Sequence, residues 1–469
     1  VRHHSHGITG QYMVLLDDDI PAAAYDGIVT SLEHTYGLQI RTEWREVPRG
    51  FVATVPVARA ERLATDPRIL IVEEDFPISI AGESGNQLTT WNGNSLWFLD
   101  RLDEATYADG VRDFSYDMCP EGRTVNAYVI DSGVRSNHEQ FTYNGEPAGR
   151  VEPLNFALGA QGTADGLNGC PDKPLMWHAT AVATVLGGTT TGASKAHIVS
   201  LRVVDCDNQG FASDIVTAIN WIRGANDSHR YEKGVVNLSR FIGDWMSDFA
   251  TLNASVSGRV DATQIPFFVS ANNFSADACK FSPASLAYTN VNHAGKVFSV
   301  GGTSVGAGSD TTDYRWQTWD GSQILVGQDS GSNGGTCISI YAPAADIYVG
   351  SNSGTTDYLH KSGTSFSAPL AAALAVRYLE LAGDHTYQQV FDYLLSTAGP
   401  STLINHVETP ESWMCQRYTD GHFDQYLSYP GQCQGAYGEN GVLNGEPIHF
   451  SATSNTSAAG MLHSAMTCP

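Results

Sequence analysis

The chain is short of basic residues: 26 Lys and Arg stand against 50 Asp and Glu in 469 residues, a formal charge of −24 with a pI near 4.8. That deficit excludes partners read through basic surface, nucleic acid and anionic membrane first among them. Long apolar runs are missing as well. The longest, around Ala368 to Ala375, is too short to span a bilayer and is cut by Pro369. None of the eight cysteines (Cys119, Cys170, Cys206, Cys279, Cys337, Cys415, Cys433, Cys468) sits in a C-x-x-C pair, which argues against a zinc site or a thioredoxin-type redox centre. Their even number fits disulfides and an oxidising compartment. With 42% hydrophobic residues, only 16% charged and 47 glycines, a disordered or fibrous chain is excluded and many turns are expected. The length suits two or three domains.

The opening Val1-Arg2-His3-His4-Ser5-His6 has no apolar core of the kind an export peptide needs, so such a peptide is expected to have been removed before Val1. Its histidines read as a solvated tail or a processing remnant rather than a metal site. Asn-x-Ser/Thr triplets at Asn226, Asn237, Asn253, Asn273 and Asn455 fit secretion.

Three stretches differ in pattern. Residues 8–80 read as strand (Gln11 to Leu16), helix (Pro21 to Tyr36), strand (Leu38 to Trp44), strand (Phe51 to Val55), helix (Val57 to Thr65) and strand (Ile69 to Glu73), a β-α-β-β-α-β order without cysteine. Residues 81–94 are small and polar, an exposed linker open to proteolysis. Residues 95–400 alternate short apolar strands with helical patterns. Val125 to Ile130, Ile198 to Val204, Gly234 to Leu238, Ile265 to Val269 and Val297 to Val300 are the β-branched runs a parallel sheet buries. Ser213 to Arg223 puts Ile215, Ile219 and Ile222 on one helical face, with Ser213 as its N-cap. The expected fold class is therefore α/β with a doubly wound, mostly parallel sheet, whose sites lie at the carboxyl ends of the strands. Residues 401–469 are loop-rich and hold three cysteines. Five cysteines in the second stretch and three in this tail are both odd numbers, so full pairing within one chain requires a bridge from tail to second stretch.

Three motifs stand at the ends of those elements. Asp131-Ser132-Gly133 follows the strand that ends at Ile130; His178 opens a small-residue helix; Ser362-Gly363-Thr364-Ser365-Phe366-Ser367-Ala368-Pro369 leads into a helix reaching about Leu381. Acyl transfer needs these types together, because a hydroxyl is a weak nucleophile until an imidazole takes its proton, and a carboxylate holds that imidazole in the useful tautomer. Asn272, after the strand that ends near Ser270, offers a side-chain amide for the oxyanion, and the backbone N–H of Ser365 a second donor. His138 also lies near the aspartate but opens no such helix, and reads as structural.

With these motifs in register, residues 95–400 resemble the subtilisin-like serine proteases, the proteinase K-type members most. The chain order Asp, His, Ser is the order of subtilisin. The likeness extends through Ser136 to Phe141, Leu201 to Gly210, Phe281 to Ser285 and Val300 to Gly302. It implies a secreted serine endopeptidase acting on proteins or peptides, with Asp131, His178, Ser365 and Asn272 as catalytic residues and Gly210, Ser239, Arg240, Phe241 and Ala271 along the substrate. No cofactor is required for catalysis. By the same resemblance residues 8–80 are similar to the family's N-terminal ferredoxin-like α+β propeptide, an intramolecular inhibitor and folding aid.

Three departures bear on that reading. The family's His-Gly-Thr-His becomes His178-Ala179-Thr180-Ala181. Its Ser-Leu-Gly-Gly substrate strand becomes Ser239-Arg240-Phe241-Ile242, and Ala271 replaces a glycine, so unless the loop realigns by a residue or two the P1 pocket is narrowed toward Ala, Ser or Gly. The altered strand also favours one rival, a pseudoprotease that keeps the fold as a binding module. Ser339 stands where proteinase K-like members carry a calcium-site aspartate, and Asp17-Asp18-Asp19 lacks the alternating spacing of an EF-hand. Structural calcium is compatible with the chain but falls on no assignable residues.

Overall fold

The computed structural model describes residues 1–4, 6–79, 96–103, 116, 118–142, 149–166, 169–171, 173, 176–224, 227, 231–239, 249–305, 313–317 and 330–398. The expected linker 81–94 and the tail 401–469 lie outside these residues. Strand β1 (Gln11–Leu16), helix α1 (Tyr25–Tyr36), β2 (Gln39–Trp44), β3 (Gly50–Thr54), α2 (Val57–Leu63) and β4 (Ile69–Glu74) follow the β-α-β-β-α-β order. They build an antiparallel sheet in the order β2-β3-β1-β4, the ferredoxin-like arrangement. All six residues of β1 are buried, since a strand sends successive side chains to opposite faces and both faces are covered here. Tyr12, Val14 and Leu16 pack with Tyr25, Val29 and Leu32 of α1, whereas Met13 and Leu15 join the larger core of the second unit.

After β5 (Pro77–Ile78) and α3 (Trp97–Asp103), the second unit runs β6 (Asn126–Asp131), β7 (Val151–Asn155), β8 (Thr163–Ala164), α4 (His178–Gly187), β9 (His197–Arg202), β10 (Gly210–Phe211), α5 (Ala212–Trp221), β11 (Gly234–Leu238), α6 (Ala250–Thr263), β12 (Phe267–Ser270), β13 (Val297–Val305), β14 (Asp313–Arg315), β15 (Ile340–Pro343), β16 (Ile347–Gly350), β17 (Tyr358–Lys361), α7 (Thr364–Leu381) and α8 (Tyr387–Thr397). Strands β7, β9, β6, β11, β12, β13 and β15 lie side by side and parallel, with β8 and β14 antiparallel at the margins. Helix α7 packs on β11, β12, β13, β15 and α4. Every residue from Thr364 to Arg377 is buried, and the alanines at 368, 371–373 and 375 let so long a helix lie close to the sheet.

Cys170–Cys206 and Cys279–Cys337 are disulfides within the second unit. Cys119 is disulfide-bonded too. The expected bridge to the tail would use Cys415, Cys433 or Cys468, all outside the described residues.

Two expectations are corrected. Ser213 is the second residue inside α5, whose N-cap is Phe211; Asp214 accepts from Phe211 N at 2.9 Å, and a carboxylate from the other unit takes the Ser213 N–H. Asp75 is fully buried and accepts from Ser213 N (3.1 Å), Ser213 Oγ (2.5 Å) and Gln11 Nε2 (2.7 Å). Glu73 does the same for α6, accepting from Ala250 N (3.2 Å) and Thr251 N (2.8 Å). Each carboxylate meets the unpaired N–H groups and positive end of a helix dipole. Nor are the first residues a solvated tail: Arg2 N donates to Val72 O, Glu74 N donates to Arg2 O, and the His4 ring lies 4.6 Å from Phe76.

Burial raises the pKa of Asp75 above the ordinary carboxylate range, against the lowering effect of its donors. The docked state then holds a proton more tightly than the undocked one, whose carboxyl keeps the ordinary value of a solvated aspartate. Its stabilising contribution is complete below that value and is lost as pH rises through the docked pKa. Attachment of the N-terminal unit should therefore weaken with rising pH, and Asp75→Asn should flatten that dependence. Asp75→Ala, which leaves the Ser213 donors unpaired, should cost about 1–3 kcal/mol of docking. Hydrogen exchange at the Ser213 amide and along β1 and β4 measures both effects.

Candidate active site

Strand β6 lies between β9 and β11. The chain leaves β6 to build β7 and β9 on one side, then returns to lay β11 on the other, so the carboxyl end of β6 opens on the crevice where an α/β sheet places its site. Asp131, the last residue of β6, is fully buried there, and Ser132 N donates to its Oδ1 at 2.6 Å. Gly133 has φ +94°, and a Cβ there would come within 2.6 Å of Arg202 Cδ, so the turn after Asp131 admits only glycine. Ser132 Oγ accepts from Ala179 N at 3.1 Å, tying this turn to the start of α4.

His178 is the first residue of α4. Its Nδ1 lies 2.9 and 2.8 Å from Oδ1 and Oδ2 of Asp131. With Nδ1–H donated to the carboxylate, Nε2 carries the lone pair that can accept a proton. The ring sits between Trp177 (centroids 5.7 Å apart) and Phe366 (6.4 Å), the latter beside Ser365 on α7, against which α4 packs. The Lys361 ammonium stands 4.7 Å over the Trp177 ring.

Ser365 is the second residue of α7 and fully buried; its hydroxyl makes no hydrogen bond to another described residue. Its carbonyl would ordinarily accept from the N–H four residues on. That residue is Pro369, which has none. Ser239 Oγ supplies the missing donor at 3.0 Å and is itself held by Asn237 Nδ2 at 2.9 Å. The Ser239 hydroxyl, expected along the substrate, is thus turned to the serine's own carbonyl.

Asn272 follows β12 in the left-handed region, φ +75°, which asparagine tolerates better than most residues. Its side-chain amide has no hydrogen-bond partner among the described residues. Ala271 is fully buried in a small apolar cluster with Ala278, Ile338 and Tyr341. Gly210 pairs antiparallel with Ile78 of β5, so the last described strand of the N-terminal segment lies on the strand expected to hold substrate. A Cβ at Gly210 would stand 2.3 Å from Val203 O, which excludes any larger residue. Arg240, Phe241 and Ile242 lie outside the described residues.

His138 is buried, accepts from Gln140 N through Nδ1 and meets Asp357 O at 3.0 Å through Nε2. Burial lowers its pKa, as suits a neutral structural imidazole. Ser339 Oγ accepts from Ser299 N at 2.9 Å, joining β15 to β13. Asn237 and Asn273 are fully buried, so their glycosylation triplets are not acceptors in the folded protein. Among the described residues no three His, Cys, Asp or Glu come together as metal ligands, and none of their helices is long and apolar enough to cross a membrane.

Sequence reasoning missed the Ser239 contact and the clamp formed by Asn273, whose Oδ1 accepts from Thr364 N and Thr364 Oγ1. The first had a signal, a proline four residues after the serine. The second had only an asparagine doublet.

Residues 122–444 match the subtilase family, peptidase S8. An extracellular serine proteinase of Thermus sp. (strain Rt41A) is 29% identical over 374 residues, 79% of this chain and 75% of the relative. Alkaline serine exoprotease A of Vibrio alginolyticus is 30% identical over 383 residues, 80% of this chain and 60% of the relative. Among solved structures, a cold adapted subtilisin-like serine proteinase superposes with a TM-score of 0.51 at 28% identity, over 66% of this chain and 94% of that one.

The Pro369 gap makes a two-variant test. Ser239→Ala should leave the Ser365 carbonyl buried and unpaired and cost about 1–3 kcal/mol. In a Pro369→Ala background, where a helical N–H returns, the same substitution should cost clearly less. Denaturant titration in a Ser365→Ala background, free of self-digestion, reads both, and equal costs would refute the assignment.

Proposed function

We propose, for a chain that belongs to the subtilase family, that its serine peptidase chemistry runs through Ser365, His178, Asp131 and Asn272. Ser365 Oγ attacks the scissile carbonyl while Nε2 of His178 takes its proton. Asp131, on Nδ1, holds the ring in the required tautomer and stabilises the imidazolium. The tetrahedral oxyanion is received by Asn272 Nδ2 and the Ser365 N–H. His178 returns the proton to the leaving amine, and water repeats the sequence to release the acyl group. The observation that carries this reading is the Asp131 carboxylate on Nδ1 of His178, buried at the sheet's switch point.

Protein and peptide substrates, secretion and a zymogen form complete the proposal. The pairing of Ile78 with Gly210 supports residues 8–80 as an intramolecular inhibitor whose C-terminal end lies in the cleft as an added strand. The rival, a binding module that has lost catalysis, rests on the strand 239–242 alone, and no described contact favours it. Structural calcium stays compatible with this reading and is assigned to no residue.

Ser365→Ala should fold as the parent does and hydrolyse nothing; comparable turnover by the folded variant would overturn the triad. Asn272→Ala should lower kcat by about 10²–10³ with little change in KM, the range for losing one such donor in this family. N-terminal sequencing of the active form should place the cut between about Phe76 and Ser95, and a start beyond Trp97 would contradict the inhibitor assignment.

A further inference from the structure

Asn273 directly follows the proposed oxyanion donor in the chain. It is fully buried, and its Oδ1 accepts from Thr364 N at 2.9 Å and from Thr364 Oγ1 at 2.6 Å. A backbone N–H can only donate, so it is the amide oxygen that must face Thr364. Thr364 is the first residue of α7 and immediately precedes Ser365. Its amide is one of the helix N-terminal donors without a partner inside the helix, and the serine's own N–H is the next. One side chain thus joins the end of β12 to the first turn of α7.

The backbone around Asn272 is held from the opposite side. Asn333 N donates to Asn272 O at 2.8 Å, and Asn333 Oδ1 accepts from Phe274 N and Ala276 N, both at 3.0 Å. Ser330 N donates to Asn273 O at 3.0 Å. Asn272 is therefore kept at φ +75° by its neighbours rather than by a bond from its own amide, as a strained residue requires.

Resting on the assignment of Asn272 as oxyanion donor, we infer that Asn273 is a positioning residue that sets the separation between the two oxyanion donors, Asn272 Nδ2 and the Ser365 N–H. These donors come from different elements, β12 and α7, and only together define where the oxyanion sits. Asn273 makes them move as one.

The test is a double-mutant cycle on the processed enzyme obtained from the full chain, with active sites titrated. Asn273→Ala should lower kcat on a peptide amide about 10- to 100-fold with KM changed little, as misplacement of a catalytic group by about an ångström does. Affinity for a peptide aldehyde, whose hemiacetal oxygen occupies the oxyanion position, should fall by the same factor. In an Asn272→Ala background the further loss should be under about threefold, since a donor already absent cannot be misplaced. Equal factors in both backgrounds, or a shift in melting temperature with kcat unchanged, would overturn the inference while leaving Asn272 as the donor. An Asn272→Ala enzyme with parental kcat would instead remove the oxyanion assignment and this inference with it. Should Asn273→Ala fail to fold, Thr364→Val keeps the backbone bond and removes only the hydroxyl's; it should show the same dependence on Asn272 at about 3- to 10-fold.

Discussion

The turn from Gly363 through Ser365 is a helix N-terminus buried in the middle of the protein, and its polar groups have to be satisfied without water. Thr364 gives both its N–H and its hydroxyl to Asn273, while the Ser365 carbonyl, left open by Pro369, accepts from Ser239. Buried donors and acceptors each cost free energy if unpaired, so these bonds hold the proposed nucleophile against the ends of two strands, β11 and β12. What they leave over is the Ser365 hydroxyl, with no bond to another described residue, and on the same residue the N–H expected to face an oxyanion.

The same need to satisfy helix ends ties the N-terminal unit to the rest. Glu73 and Asp75 lie on one short segment and meet the first turns of α6 and α5. Trp44 Nε1 donates to Thr217 Oγ1 at 2.9 Å, and Asn220 Nδ2 to Glu46 O and Pro48 O. Around these polar contacts Met13, Leu15, Val52 and Phe76 complete the large core. Directional bonds therefore set the orientation of the sheet on the two helices, and the apolar contacts supply area. From that orientation β5 runs on to pair with β10.

Much of this was legible beforehand. β1 and β11 begin and end where the sequence pattern placed them, and α7 reaches Leu381 as expected. Asp131, His178, Ser365 and Asn272 each stand at the end of an element, because strand ends, helix starts and their punctuating glycines are local signals. Capping was not legible where the cap comes from far away. Ser213 has the composition of an N-cap, and nothing near it in sequence announces Asp75, 138 residues earlier. The His3-His4 segment read as tail because its partners, Glu73, Glu74 and Phe76, are about seventy residues distant.

Readable along the chain were the period of each element, the chemistry available at each turn and the order in which carboxylate, imidazole and hydroxyl are delivered. These depend on residues close together in the chain, whose side chains dictate local backbone geometry and therefore leave a local trace. Packing of distant elements was needed for Asp131 to meet Nδ1 of His178, for the Ser239 hydroxyl to serve the Ser365 carbonyl, and for Asn273 to turn toward Thr364. Each of those is a choice among hydrogen-bonding partners of similar strength, made by which elements the packed core brings within three ångströms of one another.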